Sequence, residues 1–563
     1  MTTPSLLAAL LALSTSFTAF GQGLEWVAPI TGTQQSEGYG SAVDPAGNVY
    51  TIGTFEGTQD FDPGPAEWSF TAAGANDVYA TKMDPEGNLL WAYQLGGPST
   101  THEWGRGIAV AASGDVYLTG AFSGTCDFDP GPGVVELGGS SNGTGFLVKL
   151  NTDGSLGWAK RMGVGGAGRG HAVAVGADGN VYCTGFTNGE ADFFFGSDVV
   201  TVDGNGNWCY IYKVDPTGTS GWVRRTAGND GQSVVVDGAG NIHVVGMFSN
   251  TTDLDPGPDV LPATSAGSSD IHISKLTNTG DLIWAKAIGG SGEDWGLGIA
   301  VDGSGNVFCT GHFSTTVDFD PGTGVHERNA IMGVDTYVLK LDPDGTFGWA
   351  HAFGGPAANA GSSYDNGYGL TCDADGNVYA CGTFTGTIDF DPGSGVYELS
   401  AVHQGDIYLV VFDETGALVR ATSFGDYSFD TARSVQVNAE GDVTHLTGAF
   451  SGAVDFDPGI GEHILTATTS GDAYVLKLGP GSGTSINEPA DSPVTLWPNP
   501  GTDHFFIQGP SDPYLIEVID VTGRTVLQQY VTGNIAVVDT EGLRSGSYFV
   551  RCGGKGSIRW LKL

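Results

Sequence analysis

The sequence predicts an all-β protein: a seven-bladed β-propeller, its ring closed by the N-terminal strand, followed by a small C-terminal β-sandwich. Three observations carry this. Glycine accounts for 92 of 563 residues while charged residues are only 15%, a turn-rich and helix-poor composition. Three sequence markers recur through residues 22–480 in a common phase. Each recurring unit also holds about four short strands of period two, the content of one propeller blade.

The first marker is Asp60-Phe61-Asp62-Pro63-Gly64, which returns at Asp127, Asp318, Asp389 and Asp455. A near copy begins at Asp253 and a degraded one at Asp192, making seven. The second is Gly47-Asn48-Val49-Tyr50, echoed from Gly114, Gly179, Gly240, Gly305, Gly376 and Gly441. The third is a tryptophan at 26, 91, 158, 222, 284 and 349, with Arg420 in the seventh place. Residues 22–480 therefore divide into units of about 66 residues with no remainder for another domain. Within a unit, segments such as Gly298 to Asp302, Asn306 to Thr310 and Tyr337 to Leu341 alternate around Asp-Gly and Gly-Asn turn dipeptides, the pattern of strands in hairpins. The phase predicts closure. The region opens on the Trp26 strand and ends on Tyr474 to Leu478, so Leu24 to Ile30 should pair with Ala473 to Leu478 and remove two open sheet edges.

Export is expected from the apolar run Leu6 to Leu13, too short to span a bilayer, with Ala19 and Gly21 placed as a cleavage site. Residues 1–21 read as a signal peptide, although Met1 to Ser5 carries no basic residue. No later segment reads as membrane-spanning. Twenty-two basic against 63 acidic residues give a net charge of −41, which repels phosphate backbones and excludes nucleic acid as a partner. The seven cysteines are odd in number and lack close pairs. Cys183 and Cys309 follow strand residues at equivalent positions and read as small core hydrophobes.

The Asp-Phe-Asp-Pro-Gly corner admits two readings. Its paired carboxylates (Asp60 and Asp62, Asp127 and Asp129, Asp253 and Asp255, Asp318 and Asp320, Asp389 and Asp391, Asp455 and Asp457) offer hard oxygens to calcium. Asp77, Asp270, Asp335, Asp406 and Asp472 are then the residues to complete a site. Alternatively, the aspartates accept backbone N–H groups, Pro presets φ and Gly takes the tight position, which makes a turn without metal. The turn is the favoured reading, and no cofactor is required. The intervening Phe is expected to pack between blades.

Catalysis leaves asymmetry in a repeat, and no His-Glu-x-x-His or Gly-x-Ser-x-Gly motif occurs. No catalytic residue is assigned. Candidate ligand contacts lie in the variable loops that follow the Trp strands: His102, Glu103 and Trp104, then Glu293, Asp294 and Trp295, then Tyr364, Asp365 and Asn366. Aromatic side chains beside carboxylates suit glycan or peptide recognition; packing between blades by Trp104 and Trp295 is the alternative.

Residues 481–493 are a linker by composition. Residues 494–563 begin a new pattern: Leu496-Trp497-Pro498-Asn499-Pro500, Ile516 to Arg524, and Leu543 to Val550, with strands alternating around Gly turns. Basic residues gather there, at Arg524, Arg544, Arg551, Lys555, Arg559 and Lys562.

The propeller units, with their Gly-Asn-Val-Tyr hairpin, Asp-Phe corner, Tyr-Val-x-Lys-Leu strand and Trp-Ala strand, resemble SBBP-type β-propeller repeats of secreted bacterial proteins. The tail resembles the type A C-terminal sorting domain of the type IX secretion system of Bacteroidota, through Pro498-Asn499-Pro500, the Asp520-x-x-Gly-Arg hairpin, the Gly-x-Tyr-Phe-Val strand and the closing Lys562-Leu563. These resemblances imply passage through the type IX machinery to a secreted or cell-surface location. The expected function is a non-enzymatic interaction protein presenting loops to glycan, protein or matrix. A polysaccharide hydrolase or lyase with carboxylates in the propeller mouth is the alternative.

Overall fold

The structure, a computed structural model, describes residues 22–98, 103–226, 228–355, 365–459, 461–480 and most strand residues between 495 and 562. The leader 1–21, His102, Tyr364, the linker 481–493, Pro498 to Pro500 and residues 521–524 of the expected Asp520-x-x-Gly-Arg hairpin lie outside the described residues. The chain divides into two compact units, 1–480 and 481–563.

In the first unit, seven antiparallel blades of four strands follow one another, two of their sheets being extended to six strands by a flanking strand pair. The first blade is Ser36–Val43, Val49–Phe55, Asp77–Met83 and Leu89–Leu95. The seventh takes Thr431–Val437, Thr444–Phe450 and Asp472–Pro480 from the end of the ring and its fourth strand, Gln22–Gly32, from the beginning. Leu24 pairs with Leu478 and Ile30 with Ala473. The closure read from the phase of the repeat is present, and the two strand edges that it joins satisfy each other.

Each sequence marker has a mechanical role. The glycines of the second marker, Gly47 through Gly441, all sit in tight turns with φ between 73° and 85°, a region costly for any side chain with a Cβ. The tryptophans clamp successive blades. Trp91 of the first blade donates its indole N–H to the Thr152 carbonyl of the second, and Trp26 of the seventh donates to Pro85 of the first. At three of the joints the repeated lysine reaches the same acceptor. Pro85 O receives both Trp26 Nε1 and Lys477 Nζ, Pro343 O both Trp284 and Lys275, and Glu414 O both Trp349 and Lys340.

The corner phenylalanines Phe61, Phe128, Phe319, Phe390 and Phe456 are fully buried and fill the joints between blades. Phe390 stacks 5.4 Å from Phe353 of the preceding blade, and Phe456 lies 6.0 Å from Phe424. The thiols of Cys126, Cys183, Cys209, Cys309 and Cys381 are likewise buried and unpaired.

The second unit has two antiparallel sheets. Thr495–Trp497, His504–Gln508 and Ile535–Asp539 form one; Thr525–Val531, Tyr514–Asp520, Gly546–Cys552 and Lys555–Lys562 form the other. Phe505, Ile507 and Val538 from the first pack with Ile516, Val518 and Val550 from the second in a common apolar core.

Candidate functional site

The innermost strand of every blade breaks its hairpin register at the same place. The shifts fall between Gly38 and Gly40, Gly105 and Gly107, Gly170 and Ala172, Gly231 and Ser233, Gly296 and Gly298, Gly367 and Gly369, and Ala432 and Ser434. A β-bulge leaves one residue unpaired and re-aims its side chain. Reading round the ring, that residue is Tyr39, Arg106, His171, Gln232, Leu297, Tyr368 and Arg433, and all seven line one cavity of about 460 Å³. The flanking small residues permit close approach of neighbouring strands: a Cβ on Gly40 would stand 2.8 Å from the Arg106 carbonyl oxygen.

Two residues before each bulge stands a second tier: Glu37, Trp104, Arg169, Asp230, Trp295, Asn366 and Thr431. Arg169, Asp230, Trp295 and Asn366 line the same cavity, and Glu37, Trp104 and Thr431 line an adjoining one of about 330 Å³. The two tiers carry three arginines against two carboxylates, whereas the whole chain carries −41.

The two carboxylates differ. Glu37 pairs with Arg433 at 2.8 Å and accepts the Tyr39 hydroxyl at 2.7 Å; Asp230 Oδ1 lies 3.2 Å from His171 Nε2, and neither of these buried atoms makes a hydrogen bond. Burial, with the Glu37 charge second, pushes the Tyr39 phenol up to about 12. Arg106 and Arg169 have no carboxylate partner among the ion pairs of the described residues. Aromatic faces hold them instead. The Arg106 guanidinium lies 4.5 Å from the centre of the Tyr39 ring and Arg169 3.6 Å from that of Trp104, attractive geometries for a cation.

The loop residues singled out from sequence separate into two environments. Trp104 and Trp295 stand at the mouth, half-buried, and Trp295 stacks on His312 at 5.3 Å while donating to Ser269 Oγ. Asn366 lines the same opening as Trp295. Glu103, Asp294 and Asp365 are instead 0% exposed. Asp294 accepts from the backbone N–H groups of Gly290 and Ser314, and Asp365 from the N–H and hydroxyl of Thr385. Burial lifts Glu103 to about 8, helped by the charge of Asp77, and Asp294 to about 6. Glu293 is exposed, and its backbone bonds Ser314.

At the Asp-Phe-Asp-Pro-Gly corners, every first aspartate accepts two backbone N–H groups and every second one accepts the glycine N–H. In the first blade Asp60 Oδ1 takes Asp62 and Trp68, and Asp62 Oδ1 takes Gly64; Asp389 and Asp391 repeat this with Asp391, Tyr397 and Gly393. Asp77, Asp270, Asp335, Asp406 and Asp472 each accept from the backbone N–H four residues earlier. Among the described residues, no three His, Cys, Asp or Glu side chains are grouped to hold a metal ion.

The bulge tier escaped the sequence reading. Its signal was present: the variable residue inside Gly-x-Gly at Tyr39, Arg106, Leu297 and Tyr368 is the asymmetry expected of a site in a repeat.

Fold and tail together define a repeat propeller bearing a secretion module. The β-propeller repeat family matches residues 283–320, and the secretion system C-terminal sorting domain family matches residues 495–562. The chain thus carries SBBP-type propeller repeats and a type IX sorting tail, which directs it through the type IX machinery to a secreted or cell-surface location. An uncharacterized WD repeat-containing protein of Acanthamoeba polyphaga mimivirus is 21% identical over 76% of this chain and 36% of its own length. The regulatory protein FlaEY of Caulobacter vibrioides is 21% identical over 74% of this chain and 48% of its own. The chain spans less than half the length of these relatives. Among solved structures, the Dos1 propeller covers 81% of this chain and 96% of its own at 8% identity, with a TM-score of 0.39. No helix among the described residues is long and apolar enough to cross a membrane.

Proposed function

We propose that the protein is a secreted or surface-displayed binding propeller that takes an extracellular ligand in its channel mouth and performs no chemistry on it. The observation that carries this reading is the contrast between a uniform framework and a non-uniform mouth. Turn glycines, corner aspartates and clamp residues repeat from blade to blade, whereas the seven equivalent bulge positions hold an aliphatic, an amide, an imidazole, two phenols and two guanidinium groups. Framework residues repeat because every blade solves the same packing problem; a site facing one ligand has no reason to repeat. A cavity of about 460 Å³ falls in the range of small-molecule sites.

An array of glycans and matrix proteins probed with the purified protein tests this. A ligand should be found for the wild type and lost in Leu297→Trp, which fills the mouth, while the melting temperature stays the same. Equal binding by both proteins would place recognition outside the channel and refute the reading.

A further inference from the structure

We propose that the channel mouth takes the carboxylate-bearing end of an acidic saccharide, held by Arg106 and Arg169; this deepens the binding reading above and rests on it. Between residues 22 and 480 the chain has eight arginines, and three of them reach this one opening. Arg433 is neutralised by Glu37 at 2.8 Å. Arg106 and Arg169 make no ion pair among the described residues, although the Asp230 carboxylate in the same lining attracts both. The Nε of Arg106 is buried with no hydrogen-bond partner, an arrangement that costs free energy until an acceptor arrives.

The aromatic faces at 4.5 Å and 3.6 Å fix the orientation of both guanidinium groups without using their in-plane N–H donors. A planar carboxylate is the natural partner of such a fork.

The remainder of the mouth selects the carrier. Gln232 and Asn366 supply amides suited to hydroxyl groups, and Trp295 supplies an apolar face. The inner edge strands of all seven blades converge on the channel, so it accepts the end of a molecule. An acidic peptide matches the charge, but a hydroxyl-bearing saccharide also matches the amides and the Trp295 face.

Tryptophan fluorescence of the full-length protein reads the mouth through Trp104 and Trp295. The probes are trigalacturonate, its methyl ester and the tripeptide Gly-Asp-Asp. Trigalacturonate should bind and weaken with added salt, the ester should bind about tenfold or more weakly, and Arg106→Gln should lose a similar factor. Leu297→Glu, on a different blade from either arginine, should lose at least as much and guards against misfolding of the first variant. Ester binding as tight as the acid would overturn the anion inference while leaving a channel-binding function intact. Tighter binding of the peptide would overturn the saccharide assignment. If no probe binds, this inference falls, and the array comparison of wild type with Leu297→Trp separately decides whether the channel binds anything.

Discussion

Glu103 shows how single residues set the pH response. Its carboxyl is sealed between blades and raised to about 8, and Asp335 and Asp406 are raised to about 7, in each case by burial first. The folded state therefore holds protons that the unfolded chain releases above about pH 4, so these groups lose stability as pH rises from 4 towards 8. Buried histidines act the other way. His272, His312 and His351 are lowered to about 4 by burial and add stability as pH rises from 4 to about 6.5. The two effects oppose each other below pH 6.5, and only the acids remain above it. The melting temperature should fall between pH 6.5 and 8.5, and Glu103→Gln should remove part of that fall. A flat profile over this interval, measured by calorimetry, would contradict the assignment.

At the scale of the element, the clamp and the corner carry the ring. Trp91 is 7% exposed and donates across the joint to Thr152, so Trp91→Ala should destabilise the propeller by about 3–5 kcal/mol through the cavity left behind. Urea unfolding measures this; a loss below about 1 kcal/mol would mean that the clamp is idle. The six intact corners are turns stapled by their own aspartates, so chelation by EDTA should leave both melting temperature and proteolytic protection of these loops unchanged. A clear drop in either would restore the calcium reading.

At the scale of the whole molecule, the contrast between what the sequence revealed and what it concealed has a physical basis. Turn glycines, corner aspartates and clamp tryptophans act within a blade or on the next one, so each leaves the same mark in every unit and the ring can be counted from its period. The mouth has no such mark. Tyr39 and Arg433 are almost four hundred residues apart, yet both face one cavity, because ring closure brings the first and last inner strands together. The acids of the variable loops were misleading for a related reason: Glu103, Asp294 and Asp365 lie one residue before mouth-lining positions, and strand alternation turns them inward. Trp104, Trp295 and Asn366, each the next residue, line the openings.

Because the mouth exists only if the ring is shut by its own N-terminus, the direct test is a cross-link across that seam. Ala28 and Val475 are register partners, both buried. The double variant Ala28→Cys, Val475→Cys should oxidise to an intramolecular disulfide and raise the melting temperature. Failure to cross-link within one chain, or cross-linking only between chains, would contradict the closed seven-bladed ring and the site assembled at its centre.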